Sequence, residues 1–448
     1  MLALIVGYAV AVAAASCWVA RGLHGPRDFL MGRRGLGVAQ GIGLFGGIFL
    51  AATAVGIVGE GYRRGVAGAA LDVALGVGFG ILGLTLLDRM RASHHASLAA
   101  LLRAHYGPVP GAIGTVLVAG AWMIMLAGFV AAAAVALGQL TGWAQGPCIA
   151  ITLVILLLYA MPGGMRAVTA TNFVHLAALA VLIGALCVLA AGHSSASPAP
   201  ARHDSFSWGY VIGLLLVSAP TTVVAPDVMM GMSALRTRRT ARTTLLLVVL
   251  LLACGGVVLA LLGARADHLV SSGNADTVLP HLIDLLLPHG AAQVALLVLF
   301  GAALTGAVAE VMVCTFILND QITSRRATRG AEPLGLTGIR LQMVGVAALA
   351  GAVALADPNV VGLVITAFRV FVPGIVPQAV LALVGREVRP GAVAASMIAG
   401  PLVCLILAEA WPGLRDTAAD PVLWGTLVSV AILTAGLLPR DHVRLHEP

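Results

Sequence analysis

Lysine does not occur in this chain of 448 residues, and charge of either sign is scarce: acidic and basic residues together make up 10%, against roughly 25% in soluble domains. So large a deficit excludes a protein whose whole surface faces water. Aromatic residues are only 5%. The six cysteines, Cys17, Cys148, Cys187, Cys254, Cys314 and Cys404, form no C-x-x-C pair, so neither a disulfide framework nor a zinc site follows. His94 and His95 lack a third ligand nearby. There are no paired catalytic carboxylates and no nucleophile elbow, which argues against an enzyme. The first twenty residues lack the basic start of a signal peptide and read as a first membrane helix.

What is present is apolar: 60% hydrophobic residues and a mean hydropathy of +1.00. The apolar material falls into runs near the roughly 20 residues needed to cross a bilayer as a helix. About thirteen spans result, at 2–20, 36–59, 65–87, 109–138, 146–162, 170–192, 208–230, 243–263, 291–318, 338–355, 359–384, 391–411 and 421–439. Small residues dominate, as close-packed membrane helices require. All 26 basic residues are Arg, and they crowd into alternate loops. Examples are Arg21 to Arg34, Arg89 to Arg103, Arg236 to Arg242, Arg325 to Arg340, and Arg440 with Arg444 in the tail. By the positive-inside rule the amino terminus is outside and the carboxyl terminus cytoplasmic. The net charge of +7 therefore reports topology and points to anionic lipid rather than nucleic acid.

Two spans look interrupted. Span 2 carries Gly41, Gly43, Gly46 and Gly47, and span 7 carries Pro220 and Pro226 before Asp227. Each Pro removes a backbone donor. Irregular backbone is tolerated at depth only where it is buried in protein or lines a cavity. Two breaks five spans apart match an inverted-repeat transporter with its site between them. Gly41, Gly43 and Gly46 also spell G-x-G-x-x-G, but no strand precedes them, which excludes the dinucleotide reading.

Four stretches resemble the sodium:solute symporter family: Asp28 to Gly37, Gly56 to Gly65, Tyr159 to Val168 with its Gly163-Gly164-Met165-Arg166-Ala167-Val168 turn, and Phe371 to Ala392. The resemblance implies an all-α membrane fold with a five-plus-five inverted repeat in a single domain. The first repeat would be 36–192 and the second 208–390, with 1–35 and 391–448 peripheral. It implies secondary transport of a small organic solute by alternating access, with an amino acid or carboxylate favoured. It also implies a sodium site of carbonyls from Gly46, Phe49 and Ala302 and hydroxyls at the positions of Thr305 and Gly306. The chain departs from that pattern: Gly306 replaces a hydroxyl, Asn172 stands where a carboxylate is usual, and His175 replaces a Gln. A weakened sodium site is expected, with proton coupling or no coupling as alternatives. A non-transporting membrane sensor or accessory protein is the competing class.

Ionisable groups within spans are costly and mark solute or ion routes. Asp72, Asp227, Glu310 and Arg369 qualify. Arg369 suits an anionic solute group, or an ion pair with Glu310; Glu310 suits a proton carrier. Asp227 would brace the inner end of span 7, and Asp72 has no evident partner. Thr53 is a further solute candidate, while Ala52 beside it offers no polar group.

Overall fold

A computed structural model describes the chain except residues 24, 33–34, 96, 194–205, 271–272, 416 and 439–448. Arg33, Arg34, Arg202, Arg440 and Arg444 thus lie outside the described residues. Among those described, regular structure is helical apart from two isolated bridges. A helix satisfies its own backbone, which hydrocarbon demands.

Side-chain polarity runs opposite to that of a soluble protein. Leu84 is 90% exposed, and Val116, Val181 and Leu341 also face outward, whereas Asp72, Asn172, Thr305 and Glu310 are fully buried. An apolar belt of this kind is what lipid covers.

Ten helical segments among the described residues are long and apolar enough to cross a membrane, and the shorter Val38–Ala51 and Pro421–Ala435 accompany them. Val38–Ala51 continues into Ala54–Arg64 as span 2. A sharp turn at Gly65 (φ 60°) then begins span 3. Gln145–Gly192 is two crossings, spans 5 and 6, because Gly164 (φ 55°, ψ −145°) folds it back. Its ends share one face: Arg265 donates to the Ala190 carbonyl (3.2 Å), and Gln139, shortly before the segment, donates to Asp284 (2.5 Å). Counting that segment twice gives the thirteen crossings expected. The gap expected between spans 5 and 6 is instead a single-residue reversal. A Cβ at Gly164 would lie 2.3 Å from the Phe29 carbonyl oxygen, so the turn needs glycine for conformation and for space.

Spans 2, 3, 7 (Trp208–Ala234) and 8 (Arg238–Ala266) pack together. Spans 4 (Pro108–Thr141), 5, 6, 9 (His289–Ala327) and 10 (Leu336–Ala356) form a second group. Spans 11 (Val360–Leu383), 12 (Pro390–Ala410) and 13 (Pro421–Ala435) pack on one another, and span 11 also lies against span 4. Span 1 (Leu2–Ala20) lies on the folded-back pair, where the Ser16 hydroxyl donates to the Tyr159 carbonyl (2.6 Å).

The arginines gather at one face. Arg166 bridges Asp28 (2.7 Å), Arg103 bridges Asp320 (2.8 Å), and Arg238 and Arg242 both reach Asp88. At the same face the two interrupted spans are stitched by backbone: Leu36 N–H donates to Ala234 O (3.0 Å) and Arg236 N–H to Leu36 O (3.1 Å). At the opposite face Glu60 of span 2 accepts from Arg64 (3.0 Å) and from Tyr210 at the start of span 7 (3.2 Å). Spans 2 and 7 are therefore tied at both ends.

Candidate functional site

The two breaks differ in kind. Span 2 widens into a π-helical turn over Gly47–Ala51, and Ala52 and Thr53 keep right-handed angles before the helix resumes at Ala54. Gly41, Gly43 and Gly46 before the turn and Gly47 at its start did not unwind it. They are close-packing positions: a Cβ at Gly43 would meet Phe173, at Gly46 Leu176, and at Gly47 the Asn172 amide. A π-turn still strips the regular hydrogen-bond ladder locally. Span 7 is truly broken: Trp208–Val224 ends, Ala225 is extended (ψ 142°), and Pro226–Ala234 starts anew. Proline disfavours helical geometry in the residue before it, and Pro226 then opens the second half-helix, where its missing N–H costs nothing.

The positions aligned with a sodium site lie along the seam between span 2 and span 9. Ala52 faces Gly306, so closely that a Cβ there would sit 2.3 Å from the Ala52 methyl. The Thr305 hydroxyl donates to the Ala302 carbonyl (2.7 Å), and the Phe49 carbonyl accepts from Thr53 (2.8 Å). Gly46 packs against Leu176 and Leu251. Sodium prefers a shell of hard oxygens. The aligned positions offer one side-chain hydroxyl, three carbonyls of which two are engaged by hydroxyls, and the Ala52 methyl group where a second hydroxyl would stand. The donor set does not fit the ion.

Other polar groups collect around the seam. Thr53 also lies 3.4 Å from Asp72 Oδ1, the partner that sequence reasoning missed. The two residues are separated by a turn and face one another only once spans 2 and 3 pack. Asn172 is fully buried against Gly47, and neither end of its amide has a hydrogen-bond partner. His175 lies outside this cluster. The Thr171 carbonyl (3.1 Å) can only accept, so Nδ1 donates to it, and Nε2 shares a hydrogen bond with the Tyr8 hydroxyl (3.1 Å). The imidazole thus fastens span 1 to span 6.

Arg369 and Glu310 are not paired. Arg369 donates to Asp420 Oδ2 (3.0 Å), a fully buried carboxylate whose other oxygen caps span 13 through Val422 N–H. The expected ion pair with Glu310 is corrected accordingly: the structure pairs Arg369 with Asp420 of span 13. Asp420 stands next to Pro421 at the start of an apolar run, a capping signal that could have flagged it. Glu310 and Asp227 are both buried, and none of their four carboxylate oxygens has a hydrogen-bond partner.

A cavity opens at each face. The larger, about 600 Å³ and open to solvent, lies between Glu60, Arg63, the 273–276 loop and Asp357 to Val361. The smaller is a crevice of about 10 Å³, room for about one water, at the arginine-rich face between Leu44, Ile48, Thr169, Asp227, Met230 and Val313. Ile48 and Glu60 are separated by about 18 Å of helix. At the start of that interval the Phe49 ring packs edge to face on Phe79 of span 3, which packs likewise on Phe45 one turn earlier in span 2, 5.1 to 5.5 Å apart.

No protein-family model matches the chain, and no curated protein matches it by sequence. Solved structures do match in fold. A Na+-coupled sialic acid symporter in a substrate-bound outward-open state superposes with a TM-score of 0.79 at 15% identity, covering 97% of this chain and 96% of that one. Mhp1, a nucleobase-cation-symport-1 family transporter in a closed conformation with bromovinylhydantoin bound, gives 0.59 at 13% identity over 92% and 94%. MhsT in complex with L-phenylalanine gives 0.54 at 13% over 90% and 99%. The chain has the inverted-repeat transporter fold that these proteins share.

Proposed function

We propose that the protein is a secondary transporter, not an enzyme, that carries a small organic solute by alternating access. Amino acids and carboxylates are the favoured class. The observation that carries this reading is the paired interruption of spans 2 and 7 within this fold, with a cavity at each face and a packed barrier between. Half-helix ends and freed carbonyls at depth give a solute its polar partners. The three matched structures are of transporters or of a complex with an amino acid, described as coupled to Na+ in one case. The repeats run over 36–192 and 208–390, and the arginine-rich face is cytoplasmic.

Sodium coupling follows from the resemblance, but the donor set along span 9 favours the proton-coupled alternative. Uptake into proteoliposomes tests both. Labelled amino acids and carboxylates are offered under an imposed Na+ gradient and, separately, a pH gradient. Gradient-driven accumulation of one of them is expected, and the pH gradient should drive it more strongly. If neither gradient produces uptake and no candidate solute shifts thermal unfolding, the transport reading is abandoned.

A further inference from the structure

The smaller cavity ends on an acid. Asp227 lies in its wall at the first turn of the half-helix Pro226–Ala234, and Val313 lies opposite on span 9. Glu310 sits three residues before Val313, hence on the same face of that helix. Glu310 is close enough to Asp227 to feel its charge, although neither reaches hydrogen-bond distance of the other. Both are buried, at 2% and 0% exposure. The backbone N–H groups of Asp227 and Val228 lie near the Asp227 carboxylate without meeting hydrogen-bond geometry.

Among the described residues no cation pairs with either acid. Span 4 and the first half of span 2, which flank the pair, carry no titratable side chain. Arg91 of span 3 is spent on the Met232 (2.5 Å) and Leu235 (3.1 Å) carbonyls at the far end of the half-helix. Arg166 is held by Asp28, Arg103 by Asp320 and Gln321, and Arg340 by the Met161 carbonyl (2.9 Å). His175 is engaged by Tyr8. On span 9 itself, the Cys314 thiol donates to the Ala119 carbonyl (3.9 Å). Two neighbouring anions in a low-dielectric interior repel strongly and lose their hydration. Such a pair persists only with a cation between its members, and the smallest cation is the proton.

We propose that Asp227 and Glu310 form a proton-binding site that carries at least one proton between them and exchanges it with a single water in the crevice at the arginine-rich face. In the step, an O–H bond of hydronium breaks as one forms on a carboxylate oxygen, and the pair loses one negative charge. Asp227 sits two residues beyond the extended Ala225, so motion of the half-helix changes the distance between the acids and hence their hold on the proton. The role in transport rests on the function proposed above; occupancy by a proton does not.

Infrared difference spectroscopy of the purified protein tests the site without any solute. At neutral pH a protonated-carboxyl C=O band that shifts in D2O is expected. It should weaken or vanish in Glu310→Gln or Asp227→Asn, remain in Asp72→Asn, and stay unchanged when choline chloride is replaced by NaCl. A band unaffected by both amide variants overturns the proposal. So does a band that NaCl abolishes, because the pair then takes sodium. Should an amide variant fail to fold, Glu310→Asp and Asp227→Glu keep the acid and move the band. A frequency unmoved by either overturns the proposal equally. Failed uptake alongside an intact band refutes the transport reading alone.

Discussion

At the scale of single residues, Gly306 shows how one missing side-chain hydroxyl changes a ligand set. Restoring the hydroxyl with Gly306→Ser drives a Cβ into the Ala52 methyl at 2.3 Å, and overpacking of this kind costs about 1–3 kcal/mol. A lower unfolding temperature in detergent is expected. Adding Ala52→Gly should recover most of the loss, and that double variant alone should gain stabilisation by NaCl. Arg369 makes a second case. Arg369→Ala leaves Asp420 buried without its cation, a loss of about 3–5 kcal/mol. Asp420→Asn in the same background keeps the cap on Val422 and removes the stranded charge, so thermal unfolding of the double variant should return towards that of the wild type.

At the scale of elements, glycine and proline carried different meanings. Gly43, Gly46 and Gly47 read as a break from sequence, yet they chiefly admit neighbouring helices, and span 2 bulges without unwinding. Pro226 read as a break and is one, because the residue before a proline cannot settle easily into helix. Gly164 carries the strictest demand. With φ at 55° and Phe29 O against its missing Cβ, Gly164→Ala should cost about 1–2 kcal/mol for conformation alone, with the clash added. Little folded protein is the expected yield, measured by fluorescence-detected size exclusion, whereas Gly184→Ala, with open space around it, should express normally.

At the scale of the molecule, the vestibule opposite the arginine-rich face contains a pH-sensitive strap. Asp276, outside the spans, accepts from Val360 N–H at the start of span 11 (3.3 Å). Burial, opposed by that N–H and reinforced by Glu60, lifts its carboxyl to about 6. A group whose folded pKa is raised contributes stability that is complete below its unfolded value near 4 and is lost as pH rises through about 6. The displacement is worth at most about 3 kcal/mol. Thermal unfolding should therefore fall in temperature between pH 4 and 7, and Asp276→Asn should flatten that slope.

Composition and loop arginines by themselves determined the membrane environment, the thirteen crossings and the face on which charge collects. Hydrocarbon demands long self-satisfied helices, and that demand is written locally along the chain. The interruption of span 7 was equally legible, since proline acts on its own backbone. Only the tertiary structure decided which buried charges meet. Asp72 finds Thr53, Arg369 finds Asp420, and Asp227 comes near Glu310 across large separations in sequence. Such pairings depend on how each helix is rotated about its axis. Nearly uniform apolar runs of Ala, Leu and Val carry almost no periodicity from which that rotation can be read, so packing alone sets it.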